Sequence, residues 1–496
     1  MISAFAEWSN WYSARSGLIP CGILRIFDHA LFGGLDLLFR IRRNGSRHAP
    51  VGNPEAATAG GRSRRGGTLQ KALSLVGARV LGNVLTLGYT LILARITTPT
   101  EFGLIMSAFA WIMLLSVFLA LNLESGSIKY LVQYRETGQS GRAAGFIRLN
   151  RMTILGLTLA SAIVAALAWW AGAFGSDEAM LGVVAVTVVA APVVAMTRVY
   201  GRHATALGQV LRGGVPIMLV RPAVIFLLVA LIWLSGARPG LTVYMLLFLA
   251  AFAVTALVQA LLLRKTFGFA AGVPKQYDEA RKWFATGAMM APLLMLRDNL
   301  KHVVVAAAGL VLAPAQVGYL ALALSIMAFV YFAMKAVDIS TSPQLSRALH
   351  AKDADRVAEL LDNAARLKIA GLVAGAAVIA VFGGMALELF GPEYRASLAP
   401  LLILLIIPAS DAVFGPAQIV LNVTGRQDVI FWVAGLSTGI MVGATALGGV
   451  LGGASGAALG ASLSYAVQQL ILRSVAKSSA GTETSIIAIF QRLRGQ

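Results

Sequence analysis

The sequence predicts an all-α integral membrane protein of about twelve transmembrane helices, arranged as two parallel-repeat six-helix lobes around a central cavity. Three observations carry that expectation. Of 496 residues, 58% are hydrophobic and only 13% charged, where soluble domains carry about a quarter charged residues. About twelve apolar stretches long enough to span a bilayer follow residue 70. A set of landmarks also recurs at a spacing near 215 residues. With a mean hydropathy of +0.76, a water-soluble globular protein is excluded.

The chain opens differently. In residues 1–66, a helix over about 18–41 sets Leu24, Phe27, Leu31, Leu35 and Leu38 on one face and Arg25, His29, Asp36 and Arg40 on the other. That pattern suits a helix lying in the membrane interface rather than crossing it. It lacks the charge-poor core and small-residue cleavage site of a signal peptide. The Arg/Gly-rich run that follows reads as a flexible cytoplasmic linker.

Crossing about 30 Å of hydrocarbon takes about 20 residues at about 1.5 Å per residue. The spans are expected near 71–94, 103–122, 152–171, 179–198, 214–235, 241–263, 286–310, 317–340, 368–390, 397–422, 428–449 and 454–473. Pro408 and Pro416 mark the tenth as a candidate for a broken helix. The lobes are expected at 67–264 and 286–475, joined by a cytoplasmic connection at 265–285, with a cytoplasmic tail at 476–496.

Charge sets the orientation. Of the 41 Lys and Arg, 33 lie in alternate connections, three (Arg95, Arg238, Arg395) lie on the other side, and five (Arg79, Arg221, Arg297, Lys301, Lys335) fall within spans. By the positive-inside rule both termini are cytoplasmic, in a multi-pass protein of the bacterial cytoplasmic (inner) membrane. The net charge of +19 is then chiefly an orientation signal, aided by anionic lipid, and needs no nucleic-acid partner. The lone Cys21 excludes an intramolecular disulfide and any cluster needing two thiols.

The repeat is read from three landmarks. Pro99-Thr-Glu-Phe-Gly103 matches Pro314-Ala-Gln-Val-Gly318, Phe174-Gly175 matches Phe390-Gly391, and Pro192 matches Pro408. Six spans per repeat leave both halves the same way up, related by an axis along the membrane normal. The GxxxG series at Gly371/Gly375 and Gly435/Gly439/Gly443 reads as sites of close helix approach.

Ionisable residues within spans are costly and mark functional sites. Arg297 lies about 16 Å along the seventh span and Lys301 one turn further, on the same face. Two like charges there are expected to face a wet or anion-filled cavity. Asp298 is placed to meet Lys301 or His302, with Asp411 as an alternative partner for Arg297 or Lys301 in a purely structural network. Arg79 and Arg221 lie nearer the cytoplasmic edge, where snorkelling is the competing reading. Arg79 and Arg297 occupy the first helix of each lobe, so paired cations across a two-fold cavity are expected to make an anion site. Asp298, Asp411 and His302 are the candidates for proton or sodium coupling. Lys335 and Asp338, at i and i+3, read as a local salt bridge. No GxxxxGK[ST] loop occurs and the outer connections are short, so neither ATP hydrolysis nor loop-borne acid/base catalysis is expected. No metal site is expected.

Several segments resemble polysaccharide transporters of the multidrug/oligosaccharidyl-lipid/polysaccharide exporter superfamily, the Wzx-type flippases. These are Leu93-Ala-Arg-Ile-Thr-Thr-Pro-Thr-Glu-Phe-Gly103, Leu312-Ala-Pro-Ala-Gln-Val-Gly-Tyr319, Ser342-Pro-Gln-Leu-Ser-Arg347, Phe390-Gly-Pro-Glu-Tyr394 and Leu421-Asn-Val-Thr-Gly-Arg426. The resemblance covers about 68–475. It implies a non-enzymatic flippase moving an undecaprenyl-pyrophosphate-linked oligosaccharide to the outer leaflet for exopolysaccharide, capsule or O-antigen assembly, alongside polymerase and co-polymerase proteins. In that reading Arg79, Arg221, Arg297 and Lys301 bind the pyrophosphate. A drug or cation antiporter of the same superfamily and a membrane-bound polymerase or glycosyltransferase remain the alternatives. The first would call for an acid-rich cavity, whereas five cations face three acids within the spans.

Overall fold

The computed structural model describes the backbone of residues 61–172, 178–480 and 484, with side chains left out at 61–73, 178–179, 290–297, 333, 427 and 480. The interfacial helix expected at 18–41 lies outside the described residues. The chain divides into residues 1–68 and a membrane body of 69–496. Among the described residues there is no strand.

The helices of the first half are α1 (Gly61–Ile96), α2 (Pro99–Ala120), α3 (Ser127–Glu136), α4 (Ser140–Trp170), α5 (Glu178–Ala206), α6 (Val210–Val215), α7 (Arg221–Ser235) and α8 (Leu241–Leu263). Those of the second half are α9 (Ala280–Gly309), α10 (Pro314–His350), α11 (Ala354–Glu388), α12 (Leu398–Leu404), α13 (Ile406–Phe414), α14 (Ala417–Val423) and α15 (Gln427–Ala480). Helix α1 begins at Gly61, inside the stretch expected to be linker.

Among the described residues ten helices are long and apolar enough to cross a membrane. The longest, Asp428–Ser479, is 52 residues and doubles back at Gly452 and Gly453, the latter at φ +61°. Helix α9 runs alongside them, its apolar run interrupted by Arg297, Asp298 and Lys301. Each of the twelve expected stretches thus falls on helical chain. The tenth is broken, as its prolines lead one to expect: α13 ends before Gly415-Pro416, which turn the chain into α14.

Local chemistry sets the element starts. Thr98 caps α2 in a reciprocal capping box with Glu101, Pro99 occupying the first turn, where its missing amide costs nothing. Pro314 likewise occupies the first turn of α10, there after Ala313 and without a side-chain cap, and the Asp353 carboxylate accepts from the Arg356 amide at 2.9 Å to cap α11.

Burial sorts the helices into centre and rim. In α2 the apolar window is 67% buried, against 6% in α4 and 11% in α11. Phe118, Leu159, Leu227, Val381 and Leu436 are exposed, an apolar outer surface that suits lipid and not water. The core runs through both halves, from Leu93, Phe102 and Ile105 to Leu320, Ala321 and Leu324.

Here the repeat becomes a contact. A Cβ on Gly103 would stand 1.7 Å from the Pro314 carbonyl oxygen, and one on Gly318 2.8 Å from that of Pro99. The two matched pentapeptides therefore pack on each other reciprocally. Phe102 and Tyr319 each set an edge against Tyr394, at 5.6 and 6.0 Å, and Arg95 Nε donates to the Leu389 carbonyl at 2.5 Å. This end, which carries the Arg-poor connections, is sealed. The GxxxG expectation holds only in part: Gly375 packs on Val330 of α10, where a Cβ would stand 3.0 Å away, but Gly371, Gly439 and Gly443 would meet nothing within 4 Å, and the backbone-to-backbone contact is made instead by Gly448 and Gly456 between the arms of α15. Spacing alone does not say which face of a helix finds a partner.

Candidate anion-binding site

Arg221 is delivered by a distortion. Residues Pro216–Val220 form a π-helical turn, a device that widens a helix and recurs at functional sites. It joins α6 to α7 at Arg221, about 16 Å from Val210 at the helical rise. The guanidinium, half-buried, lies 3.9 Å from Met113 Sδ.

Lys301 reaches the same level from the other half. Its ammonium donates to Ser325 Oγ at 2.7 Å, and that hydroxyl donates to the Ala321 carbonyl. His302, next along α9, sits 5.7 Å from the Phe109 ring, one turn of α2 from the Met113 that Arg221 approaches. The backbone kink at Asn299, φ −130° and ψ 15°, lies just before them and re-aims the last turns of α9. Two cations expected from sequence are thereby brought to one layer, contributed by the two halves.

Arg79 belongs to a second layer nearer the basic end. Its side chain is exposed, and its guanidinium lies 5.7 Å from the Phe332 ring centroid on α10. The cation of the first half thus reaches an aromatic of the second. Arg297 falls in the stretch whose side chains are outside the described ones. Among the described residues no carboxylate lies within salt-bridge distance of Arg79, Arg221 or Lys301.

The acids have other partners than expected. Asp298 accepts from Arg202 of α5 at 3.2 Å, not from Lys301. Asp411 accepts from Lys335 at 3.2 Å, Lys368 at 2.9 Å and Gln469 at 3.3 Å. Lys335 and Asp338 do pair, at 3.2 Å, but inside this larger network, with Lys368 also 2.6 Å from Asp338. Tyr331 and Tyr465 share a hydroxyl contact of 2.8 Å beside it. Two lysines face two aspartates, so the network is neutral as a whole.

Lys368, 1% exposed, is the residue sequence reasoning missed. It looks like one more cation at a cytoplasmic helix start. Its spacing held the signal, because Val357, Leu361, Ala364 and Lys368 follow the helical period and all are buried. The lysine therefore continues the inward face of α11.

At the basic end the segment between the halves is pinned to the first half. Tyr134 of α3 donates to the Glu279 carboxylate, Trp283 Nε1 donates to Tyr134 at 2.9 Å, and Lys282 reaches Glu279 at 2.9 Å. The Tyr134 bond, then Lys282, hold the Glu279 carboxyl below its usual range. Burial and the same bond to Glu279 push the Tyr134 phenol up.

Comparison with known proteins fits this architecture. Residues 68–295 match the family described as polysaccharide biosynthesis protein. No curated protein matches the chain. A multidrug resistance MATE family transporter of the MOP superfamily in its inward-facing conformation is 15% identical, with a TM-score of 0.65 over 81% of this chain and 96% of its own. An outward-facing structure of such a transporter gives 15% and 0.55 over 82% and 95%. The lipid II flippase MurJ, inward closed, gives 13% and 0.60 over 83% and 88%. Helical throughout its described residues, the chain is a multi-pass membrane protein with the fold of the MOP-superfamily transporters, and its residues 68–295 match the family described as polysaccharide biosynthesis protein.

Proposed function

We propose that this protein is a flippase for a polyprenyl-pyrophosphate-linked oligosaccharide, moving repeat units across the bacterial cytoplasmic membrane for exopolysaccharide, capsule or O-antigen assembly. The observation that carries the proposal is the set of cations Arg79, Arg221 and Lys301, drawn from both halves and facing no described carboxylate. Away from bulk water, cations without acids favour an anion, and a diphosphate between sugar and lipid tail supplies one. Arg297 is assigned to the same site from its position on α9. The family match to polysaccharide biosynthesis supports the sugar, and the transporter fold supports translocation in place of catalysis.

In this scheme the diphosphate binds between the halves while the prenyl tail stays in lipid. Parting the sealed end around Gly103 and Gly318 would release the sugar on the far side. The basic connections and both termini face the cytoplasm, and polymerase and co-polymerase proteins receive the product. Asp298, Asp411 and His302 are proposed to couple the cycle to protons or sodium. No cofactor is required. A drug-cation antiporter is disfavoured by the sign of the unpaired charge.

Deleting the gene and assigning lipid-linked intermediates to leaflets tests the proposal. Undecaprenyl-linked repeat units confined to the cytoplasmic leaflet are expected. Unpolymerised units on the outer leaflet would instead indicate a polymerase.

A further inference from the structure

We propose that Lys335 is an additional substrate-binding cation, held off the substrate by Asp338 and Asp411 and released to an anionic headgroup. The inference rests on the flippase reading above and deepens it.

The two lysines of the network are not equivalent. Lys368 is 1% exposed and lies 2.6 and 2.9 Å from Asp338 and Asp411, within the range of strong charge-assisted bonds. Lys335 is 33% exposed and reaches both acids only at 3.2 Å. One lysine holds the two carboxylates from inside, while the other closes them from the outer side.

The acids also keep partners when Lys335 leaves. Asp338 Oδ1 retains Lys368. Asp411 Oδ2 retains Lys368, and its Oδ1, the oxygen Lys335 uses, retains the Gln469 amide at 3.3 Å. Gln469 is itself fixed by a 2.8 Å bond to Tyr465. Each carboxylate therefore still has a donor after departure, where a buried acid left with none would be costly.

Direction comes from the neighbours on α10. Lys335 Nζ lies 4.9 Å from the Tyr331 ring, and Phe332, one turn away at i−3, is the ring that Arg79 of the first half approaches at 5.7 Å. Arg79 of the first half and Lys335 of the second thus approach neighbouring rings of α10, Phe332 and Tyr331. A diphosphate presents oxygens to two cations at once, and one bridging these two would tie the halves together at the basic end.

The test is a double-mutant cycle on the full-length protein in detergent, read as affinity for geranylgeranyl pyrophosphate with geranylgeraniol as the tail-only control. Lys335→Gln is expected to weaken pyrophosphate binding about tenfold or more, and Lys335→Arg to retain it. Asp338→Asn is expected to tighten binding, and that gain is expected to vanish in the Lys335→Gln background. If Lys335→Gln binds as the wild type does while Arg221→Gln does not, the inference fails and the flippase reading stands. An Asp338→Asn effect of equal size in both backgrounds overturns the inference in the same way. If the wild type does not prefer the pyrophosphate to the alcohol, both fail. Should Asp338→Asn not fold, Lys335→Gln against Lys335→Arg decides the matter alone.

Discussion

Gly103 and Gly318 sit back to back across the seam between the halves, each against the carbonyl of the other's leading proline. The repeated pentapeptide is therefore the lock of the sealed end, and both copies need a residue without a Cβ.

A wedge in that lock should open it. Gly103→Leu is expected to part the Arg-poor end, because a side chain there has no room beside the Pro314 carbonyl and overpacking costs about 1–3 kcal/mol. In a Cys21→Ser background, Tyr394→Cys is the reporter, since Tyr394 is 1% exposed. The thiol should resist a membrane-impermeant reagent with Gly103 intact and react with it in Gly103→Leu. Equal reactivity would mean that this contact does not hold the end shut.

Removing the buried lysine should damage the fold before it touches the substrate. Lys368→Met leaves Asp338 and Asp411 with Lys335 as their only cation, and breaking a buried ion pair costs about 3–5 kcal/mol. A marked drop in thermal midpoint in detergent is expected, partly recovered by adding Asp411→Asn. A drop that the second substitution deepens would contradict the proposed charge balance.

The clamp at the basic end should depend on acid pH. Glu279 is held below its ordinary value, first by the Tyr134 bond and then by Lys282. Its contribution is therefore present above the unfolded carboxyl value and lost as pH falls through the lower folded one. Thermal stability should decline with acid more steeply in the wild type than in Glu279→Gln, and Tyr134→Phe should flatten the same limb. Superimposable acid limbs would remove Glu279 from the account.

Much of the architecture was legible in the sequence, because hydrocarbon thickness imposes span length and each apolar run had to be a helix. The repeat was legible for a similar reason: Pro99 and Pro314 start helices and Gly103 and Gly318 permit contact, so each pair is fixed by backbone geometry. The partners of the acids were not. Asp411 was expected beside Arg297 or Lys301, but pairing across helices depends on rotation about each axis, and α11 turns Lys368 inward to claim it. Nor did spacing foresee that Arg221, expected nearer the cytoplasmic edge with Arg79, reaches the level of Lys301, since that follows from the π-turn that runs α6 on into α7.

The most direct test of the central claim measures binding of geranylgeranyl pyrophosphate to the full-length protein carrying Arg221→Gln or Lys301→Gln. Each lost charge-assisted contact is worth about 1.5–3 kcal/mol, so affinity is expected to fall by at least about tenfold, with binding of geranylgeraniol unchanged. Wild-type affinity for the pyrophosphate in both folded variants would contradict the account.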